Sequence, residues 1–590
     1  MTQMENAPSP GGPEARLRVG NCSGFYGDRP SAMREMLEGG DLDVLTGDYL
    51  AELTMLILFK DRMKDPAAGY ARTFVAAMKQ NMRTAKEKGV RIVVNAGGLN
   101  PAGCADAVRE LAEGEGLDLV VAVVDGDDLS ARAGDLGLGE GVLANAYLGA
   151  FGIAEACTAG ADVVVTGRVT DASLVVGPAI AHFGWGREQL DEIAGAMAAG
   201  HIIECGTQAT GGNFAFFGEV ADMTRPGFPI AEVGSDGSAV ITKHEGTGGA
   251  VTRETVLSQL LYEIQDLRYA GPDAVLRLDS LEVSEVGPDR VLVRGARGEL
   301  PPPKAKVSCT RLGGFRNELE FVLTGLDIEA KADLVKEQMT HAMTTQPAQV
   351  EWSLAKTSHT DPDTIERAAS ILRVVARDQN AVVVGRAFSA AAVDIALASY
   401  PGCFLTRPPS GGSAYGVYTA GYVDQGVPSH RVTLPDGRRV TIDPPRETAP
   451  LEPLTEVGAR PPLPGTAGAT RTIELGRIFG ARSGDKGGSA NVGVWARDDN
   501  AYAWLLANLT VEEFKRLLPE TETLSVTRVL LTNLRALNFV VEGILGEGVA
   551  YGARFDPQAK ALGEWLRARH IAVPADLVGS SSEGDLSWPS

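Results

Sequence analysis

The sequence predicts an α/β protein: a Rossmann-like, doubly wound, mainly parallel sheet, followed by an α+β middle region and a small α+β C-terminal domain. Three observations predict it. Over residues 1–250 short apolar runs alternate with helix-like segments. The runs are continuous Val/Ile/Leu stretches such as "VRIVV" and "LDLVVAVV", as parallel strands buried on both faces require. Near residue 270 the pattern turns to alternating polar and apolar residues, the mark of strands with one exposed face.

Taken in order, Leu17 to Val19 end a strand, and "GNCSGFYGDR" is a glycine-rich polar loop before a helix that starts after Pro30. "LDVLTGDYLAELTM" (42–55) gives a strand and loop, 70–88 a helix, 90–101 a strand and glycine-rich turn, and 102–113 a helix. A strand at 117–128, a helix at 145–159 and a strand with a polar turn into a further helix at 161–174 complete the first region. Beyond residue 270, "AVLRLDSLEVSEV", "RVLVRGARGEL" and "NELEFVLTG" read as strands, 327–344 and 365–378 as helices, and 382–402 as a strand-to-helix unit. The proline-dense stretch 442–471 has neither period and is a predicted linker. After it come two strands around "GARSGDKGGSANVG", a helix at 511–518, strands near 524–533 and 536–542, and a helix at 558–568, a βαββα-like unit. The expected organisation is a disordered leader 1–15, an α/β core 16–441 with its α+β subregion at about 270–380, the linker 442–471, a C-terminal domain 472–570 and a flexible tail 571–590.

With 590 residues, 44% of them hydrophobic, the chain can bury more than one core. Its net charge of -21 argues against nucleic acid or anionic membranes as partners, since both need cationic surface. No run of eighteen apolar residues occurs, and the first fifteen residues lack the basic and apolar regions of a signal peptide, so a cytoplasmic location is expected. The six cysteines are scattered, with no CxxC pair and no metal-ligand spacing, and are expected to be free thiols.

Four polar loops follow predicted strands: "GNCSGFYGDR", "TGDYLAE", "NAGGLNP" and "TGRVTDASL". A parallel sheet delivers such loops to one edge, so Asn21, Ser23, Arg29, Asp48, Asn95, Gly97, Gly98, Asn100, Arg168 and Asp171 are candidate ligand residues there. Backbone amides beside Arg168 make an anion site, with Thr170 or Asp171 as the helix cap. The plain alternative is an Asp171–Arg168 salt bridge that adds only stability, about 1 kcal/mol. "AGHIIECGTQATGGNF" offers His201, Glu204, Cys205, Gln208 and Asn213. On a helix His201 and Glu204 share a face at i and i+3, close enough to share a proton. "ITKHEGTGGAV" presents Lys243, His244 and Glu245, of which a strand can aim at most two into one pocket. Cys22 and Cys205 are candidate nucleophiles, although no Cys-His signature surrounds either. The late glycine-rich stretch sets Arg482, Asp485, Lys486, Ser489 and Asn491 among amides able to cradle an anion. It is not the Walker pattern, because Gly487 follows Lys486. Asn533, Arg535 and Asn538 lie near it in sequence.

Together, "GNCSGFYGDR", "NAGGLNP", "TGRVTDASL", "AGHIIECGTQATGGNF", "DGSAVITKHEGTGGAV" and "ARSGDKGGSANVGVW" resemble the acyclic terpene utilisation (AtuA-type) family, from Arg16 to about Ala568. The resemblance implies a C-terminal domain of ferredoxin-like fold. That domain has no iron–sulfur ligands of its own, since no cysteine follows Cys403. It also implies a part in the breakdown of acyclic terpenoids such as citronellol and geraniol as CoA thioesters, a route with a geranyl-CoA carboxylase and a hydratase. It transfers no catalytic residue.

The expected function is an enzyme of acyl-CoA catabolism, a lyase or hydratase acting on a branched 3-hydroxyacyl-CoA or its enoyl form, with a CoA thioester as substrate and no metal or other cofactor. Asp171, His201 or Glu204 would move the proton, Arg168 and the Gly97 and Gly98 amides would hold the enolate oxygen, and Lys243 or His244 would assist. Arg482, Asp485, Lys486 and Asn491 would bind the thioester with the N-terminal loops and Cys205. Two alternatives stay open: a thioester hydrolase using Cys205 or an activated water, and a non-catalytic acyl-CoA-binding or carboxylase-docking subunit. A nicotinamide dehydrogenase is disfavoured, because the first loop lacks GxGxxG. A homo-oligomer is expected.

Overall fold

Short Val-rich strands run parallel at the centre of an eleven-stranded sheet: β1 (Leu17–Asn21), β2 (Val44–Gly47), β3 (Arg91–Val94) and β4 (Val121–Asp125), then, past a β5 (Leu143–Ala146) that pairs outside this sheet, β6 (Val163–Thr166). This is a computed structural model, and it describes residues 16–452 and 469–578. The expected leader, residues 453–468 of the linker and residues 579–590 of the tail lie outside that range.

The parallel strands lie in the order β1-β2-β3-β6-β4. Beyond β1 the sheet continues antiparallel through β7 (Pro229–Val233), β8 (Ala239–Lys243), Arg290–Arg294 and Glu282–Gly287; beyond β4 it continues antiparallel through Arg431–Thr433 and Arg439–Thr441. The sheet is therefore mixed. Its parallel strands all lie to one side of β1, whereas a dinucleotide-binding sheet reverses its strand order at that point.

Continuous apolar strands need cover on both faces, and both are covered. Helices α1 (Ala32–Gly39), α2 (Glu52–Lys64), α3 (Arg72–Lys88) and α4 (Pro101–Gly114) come first along the chain. Met33 and Met36 of α1, Phe74 and Met78 of α3 and Val108 of α4 pack with Leu45, Ile92, Val94, Val163 and Val165. On the other face α5 (Phe151–Thr158), α6 (Ser173–Phe183) and α7 (Leu190–Ile203) pack with Val19, Val44, Val93 and Val164. Every residue of α7 from Ile193 to Ile203 is buried, and a Cβ at Gly200 would lie 2.8 Å from Ala172 Cα. Glycine thus lets α7 reach the turn that opens α6.

Residues up to Cys309, Thr419–Gly546 and from Gln558 onward form one compact unit; Thr310–Tyr418 with Glu547–Pro557 forms a second. The α+β region expected at about 270–380 is thus divided, since the strands at 282–294 belong to the large sheet. Within the second unit, 365–378 departs from the expected helix. Ile365–Ala368 is one turn, and Ala369–Asp378 is a strand between Gln349–Ala355 and Lys304–Thr324. Leu372, Val374 and Ala376 face its core at period two, and the β-branched residues favour the pleated surface. Conversely, the strand expected to open 382–402 is helical from Val383 to Asp394, interrupted by a kink at Gly385.

The C-terminal domain is a four-stranded antiparallel sheet in the order Gly480–Lys486, Ser489–Trp495, Ala536–Val541, Val526–Leu531, with helices Asp499–Asn508, Val511–Leu517 and Leu562–Arg567. The start of the expected tail is ordered: His570–Pro574 pairs antiparallel with Thr470–Glu474. No helix among the described residues is long and apolar enough to cross a membrane.

Candidate active site

At the carboxyl ends of β1, β2, β3 and β6 polar side chains interlock. Asn95, following β3, donates to Asp48 Oδ1, following β2, at 2.5 Å, and its own oxygen accepts from Tyr49 N at 2.7 Å. Arg168, following β6, is almost wholly buried; Nη1 donates to the Leu50 carbonyl at 2.9 Å, Nη2 pairs with Asp171 Oδ1 at 2.7 Å, and the guanidinium lies 4.3 Å from the Tyr147 ring centroid. Asn21, ending β1, donates to the carbonyls of Ile203 and Glu204 at 2.5 and 2.9 Å, tying the end of α7 to the sheet. That end carries the pair expected from its spacing, with His201 Nδ1 3.1 Å from Glu204 Oε1. The loop after β1 packs so closely that a Cβ at Gly24 would lie 2.6 Å from the Cys205 carbonyl carbon.

The C-terminal domain reaches the same place, though not through a loop. The stretch "GARSGDKGGSANVG" is a hairpin whose strands turn at Gly487 and Gly488. Its glycines serve close approach: a Cβ at Gly484 would lie 2.3 Å from the Tyr262 ring, and one at Gly493 would lie 2.6 Å from Leu261 Cβ. Arg482 contacts Gln208 Oε1 and stacks 4.3 Å from the Tyr262 centroid. Asn491 bonds the backbone of Leu261 and Glu263.

Low dielectric and crowded like charges then set the protonation states. Burial, and next Asp171, pushes the Asp48 carboxyl well above the carboxylate range. Burial, then Asp171 and Glu263, does the same to Glu204. Burial, and then the Lys486 ammonium, lowers His201 to about 4. At neutral pH the His201 imidazole is thus neutral, beside a carboxyl whose proton affinity burial raises. The Cys205 thiol is pushed up by burial and by Glu204, and Cys22 by burial and Asp28, so neither is prepared as a thiolate.

A family model described as "Acyclic terpene utilisation family protein AtuA" matches residues 17–434, and one described as "AtuA ferredoxin-like domain" matches residues 473–572. The chain belongs to the AtuA family. No curated protein and no solved structure matches it.

In this AtuA-family protein several candidate residues lie away from the cluster or are spent on structure. Lys243 pairs with Asp289 at 3.1 Å and donates to the Thr247 carbonyl, while the His244 ring packs on Gly39 and Gly40 with Nε2 3.0 Å from the Met36 carbonyl oxygen. Neither is placed to assist at His201. Arg29 pairs with Glu35 at 2.7 Å. Asn100 caps α4 by accepting from Gly103 N, and Ser23 Oγ donates to the Phe25 carbonyl. The Gly98 amide donates to the Asn95 carbonyl and Gly97 abuts Thr166 O, so this turn is built by close approach and does not offer the Gly98 amide to an enolate. Neither Thr170 nor Asp171 caps α6 through its side chain; Ala172 holds the cap position.

Other residues of the cluster escaped the sequence reading. Asp127 follows β4 at the same edge and accepts from Arg168 N at 3.0 Å and Asn145 Nδ2 at 2.8 Å; burial raises its carboxyl to about 6. Its place after a strand was a usable signal. Tyr269, whose ring lies 4.7 Å from that of His201, and Glu263 had none, since they enter from beyond the parallel strands. A cleft of about 380 Å³ lined by Leu17, Asp43, Arg91, Asp162 and His182 lies by the amino-terminal ends of the strands, apart from this chemistry.

Proposed function

We propose that the protein is an enzyme of acyl-CoA catabolism, a lyase or hydratase acting on a branched or terpenoid 3-hydroxyacyl-CoA or its enoyl counterpart. The observation that supports this reading is the buried His201–Glu204 pair, 3.1 Å apart, beside the ion pair of buried Arg168 with Asp171. A neutral imidazole accepts a proton at pH 7 and a carboxyl of raised proton affinity is suited to donate one, which is what hydration or carbon–carbon cleavage next to a thioester needs. On this reading His201 takes the proton of the attacking water, or of the 3-hydroxyl in cleavage, and the raised carboxyl of Asp48 returns one to C2. Arg168 holds the thioester oxygen as it gains charge. On this reading Lys486, at the turn of the hairpin, would meet a CoA phosphate, while Arg482 is buried and engaged by Gln208 and Tyr262. The raised thiol of Cys205 speaks against the Cys-based thioester hydrolase.

The test is incubation with a panel of acyl-CoAs and mass spectrometry of the products. Gain or loss of water, or an acyl fragment cleaved from the chain, is expected, and both are lost in His201→Ala. Release of CoA alone would replace the proposal with a hydrolase. Binding without any mass change would replace it with a carrier or a carboxylase-docking subunit.

A further inference from the structure

The turn that follows α8 (Arg253–Leu260) holds Glu263 at a φ of 58°, in the left-handed region. A glutamate there costs roughly 1–2 kcal/mol and persists only where its surroundings impose it. The ferredoxin-like domain imposes it. Asn491 Oδ1 accepts from Glu263 N at 2.9 Å, and Asn491 Nδ2 donates to the Leu261 carbonyl at 2.7 Å and to Asn538 Oδ1 at 2.9 Å. Asn538 Nδ2 donates in turn to the Ile264 carbonyl at 3.1 Å, and both asparagines are fully buried. Two linked amides thus bond three residues of the turn 261–264, and Gly484 and Gly493 clear the way for the strands that carry them.

We propose that Glu263 is a further carboxylate of the active site and that Asn491, backed by Asn538, is the positioning residue that fixes it, so that the ferredoxin-like domain completes the site. The inference rests on the acid–base reading above. After burial and Lys486 at His201, and after burial and Asp171 at Glu204, the Glu263 carboxylate raises both groups and opposes Lys486, so its placement tunes the proton affinity of the pair.

Cys205 reports on Glu263 without any turnover. Its thiol is raised by burial, Glu204, Glu263 and Asp48 and lowered by Arg482. Iodoacetamide labelling at pH 9, read cysteine by cysteine through peptide mass spectrometry, measures its thiolate, while buried Cys104 and Cys157 report any opening of the chain. Glu263→Gln is expected to speed labelling of Cys205 several-fold with Cys104 unchanged. Asn491→Ala is expected to do the same, and the double variant to label no faster than the faster single one, as residues acting through one another must. Asn538→Ser, a milder cut in the same clamp, gives a smaller shift of the same sign and serves if Asn491→Ala does not fold.

An unchanged Cys205 rate in the folded variants, effects that multiply in the double variant, or equal acceleration of Cys104 would overturn the proposal. If the labelling cycle holds while no acyl-CoA is turned over, the positioning of Glu263 stands and the proposed reaction falls. If turnover is found and the cycle fails, the reverse holds.

Discussion

Arg168 is buried with one carboxylate, one carbonyl and one aromatic face, so its planar fork is used on three sides. Lysine keeps the charge but cannot hold two acceptors and stack at once. Arg168→Lys is expected to lower acyl-CoA turnover about 100-fold, the scale of a lost oxyanion donor, with a melting temperature only a few degrees lower. Parallel thermal melts and product assays check this; matched losses would assign Arg168 to the salt bridge alone. Asp127 makes a pH prediction. Its folded value of about 6 lies above the ordinary aspartate value, so the folded state binds the extra proton and stability falls as pH rises through that window. Asp127→Asn cannot ionise, so relative to the parent it should gain on the order of 1 to 2 kcal/mol between pH 5 and pH 7.5 in urea unfolding. His201 has the opposite sign: held near 4, it favours the fold above the ordinary histidine value and loses that benefit as pH falls toward 4. Lys486→Met removes a cause of the depression, and ¹⁵N-histidine spectra should place the His201 titration at higher pH.

Among the elements, the hairpin of the ferredoxin-like domain carries the sharpest geometric constraint. A Cβ at Gly484 would sit 2.3 Å from the Tyr262 ring, beneath the strand that holds Arg482 and Lys486. Gly484→Ala must therefore displace either the strand or the tyrosine, a cost of about 1–3 kcal/mol by the usual scale of overpacking. Gly114→Ala, at the end of α4 with no atom within 4 Å of the added carbon, is the control and should be neutral or slightly stabilising. Thermal melts of the two variants compare them directly. If Gly484→Ala melts with the parent, the close packing on Tyr262 is not what the glycine is for.

For the whole molecule, one apolar cluster runs across the join between the sheet region and the ferredoxin-like domain. Trp495, Leu531, Leu534 and Ala536 belong to the same core as Val256, Leu257 and Leu260 of α8, and Trp495 Nε1 donates to Glu254 Oε1 at 3.0 Å. A shared core couples unfolding. Trp495→Ala is expected to cost about 3–5 kcal/mol and to shift the melting of both parts together, seen by calorimetry with and without the substitution. Separate transitions, only one of which moves, would show that the domain folds on its own account.

The apolar runs of β1, β2, β3, β4 and β6 were legible because burial on both faces leaves an unbroken Val/Ile signature, and so were His201 and Glu204, because a helix fixes what meets at i and i+3. Strand parallelism then predicted that Asn21, Asp48, Asn95 and Arg168 would gather at one edge, a consequence of direction alone. The sequence could not order the strands, because β7 and β8 are as apolar as their parallel neighbours and only hydrogen bonding decides which edge they join. Nor could it distinguish helix from strand at 369–378, where apolar spacing fits both periods until a sheet offers its partners. "GARSGDKGGSANVG" shows the limit most plainly. Its glycines announce that something comes close, but local chemistry is equally satisfied by a phosphate or by Tyr262 and Leu261, and those residues come near only when distant parts of the chain pack together. Glu263 was invisible for the same reason: its left-handed turn is hydrogen-bonded by Asn491 and Asn538, more than two hundred residues away.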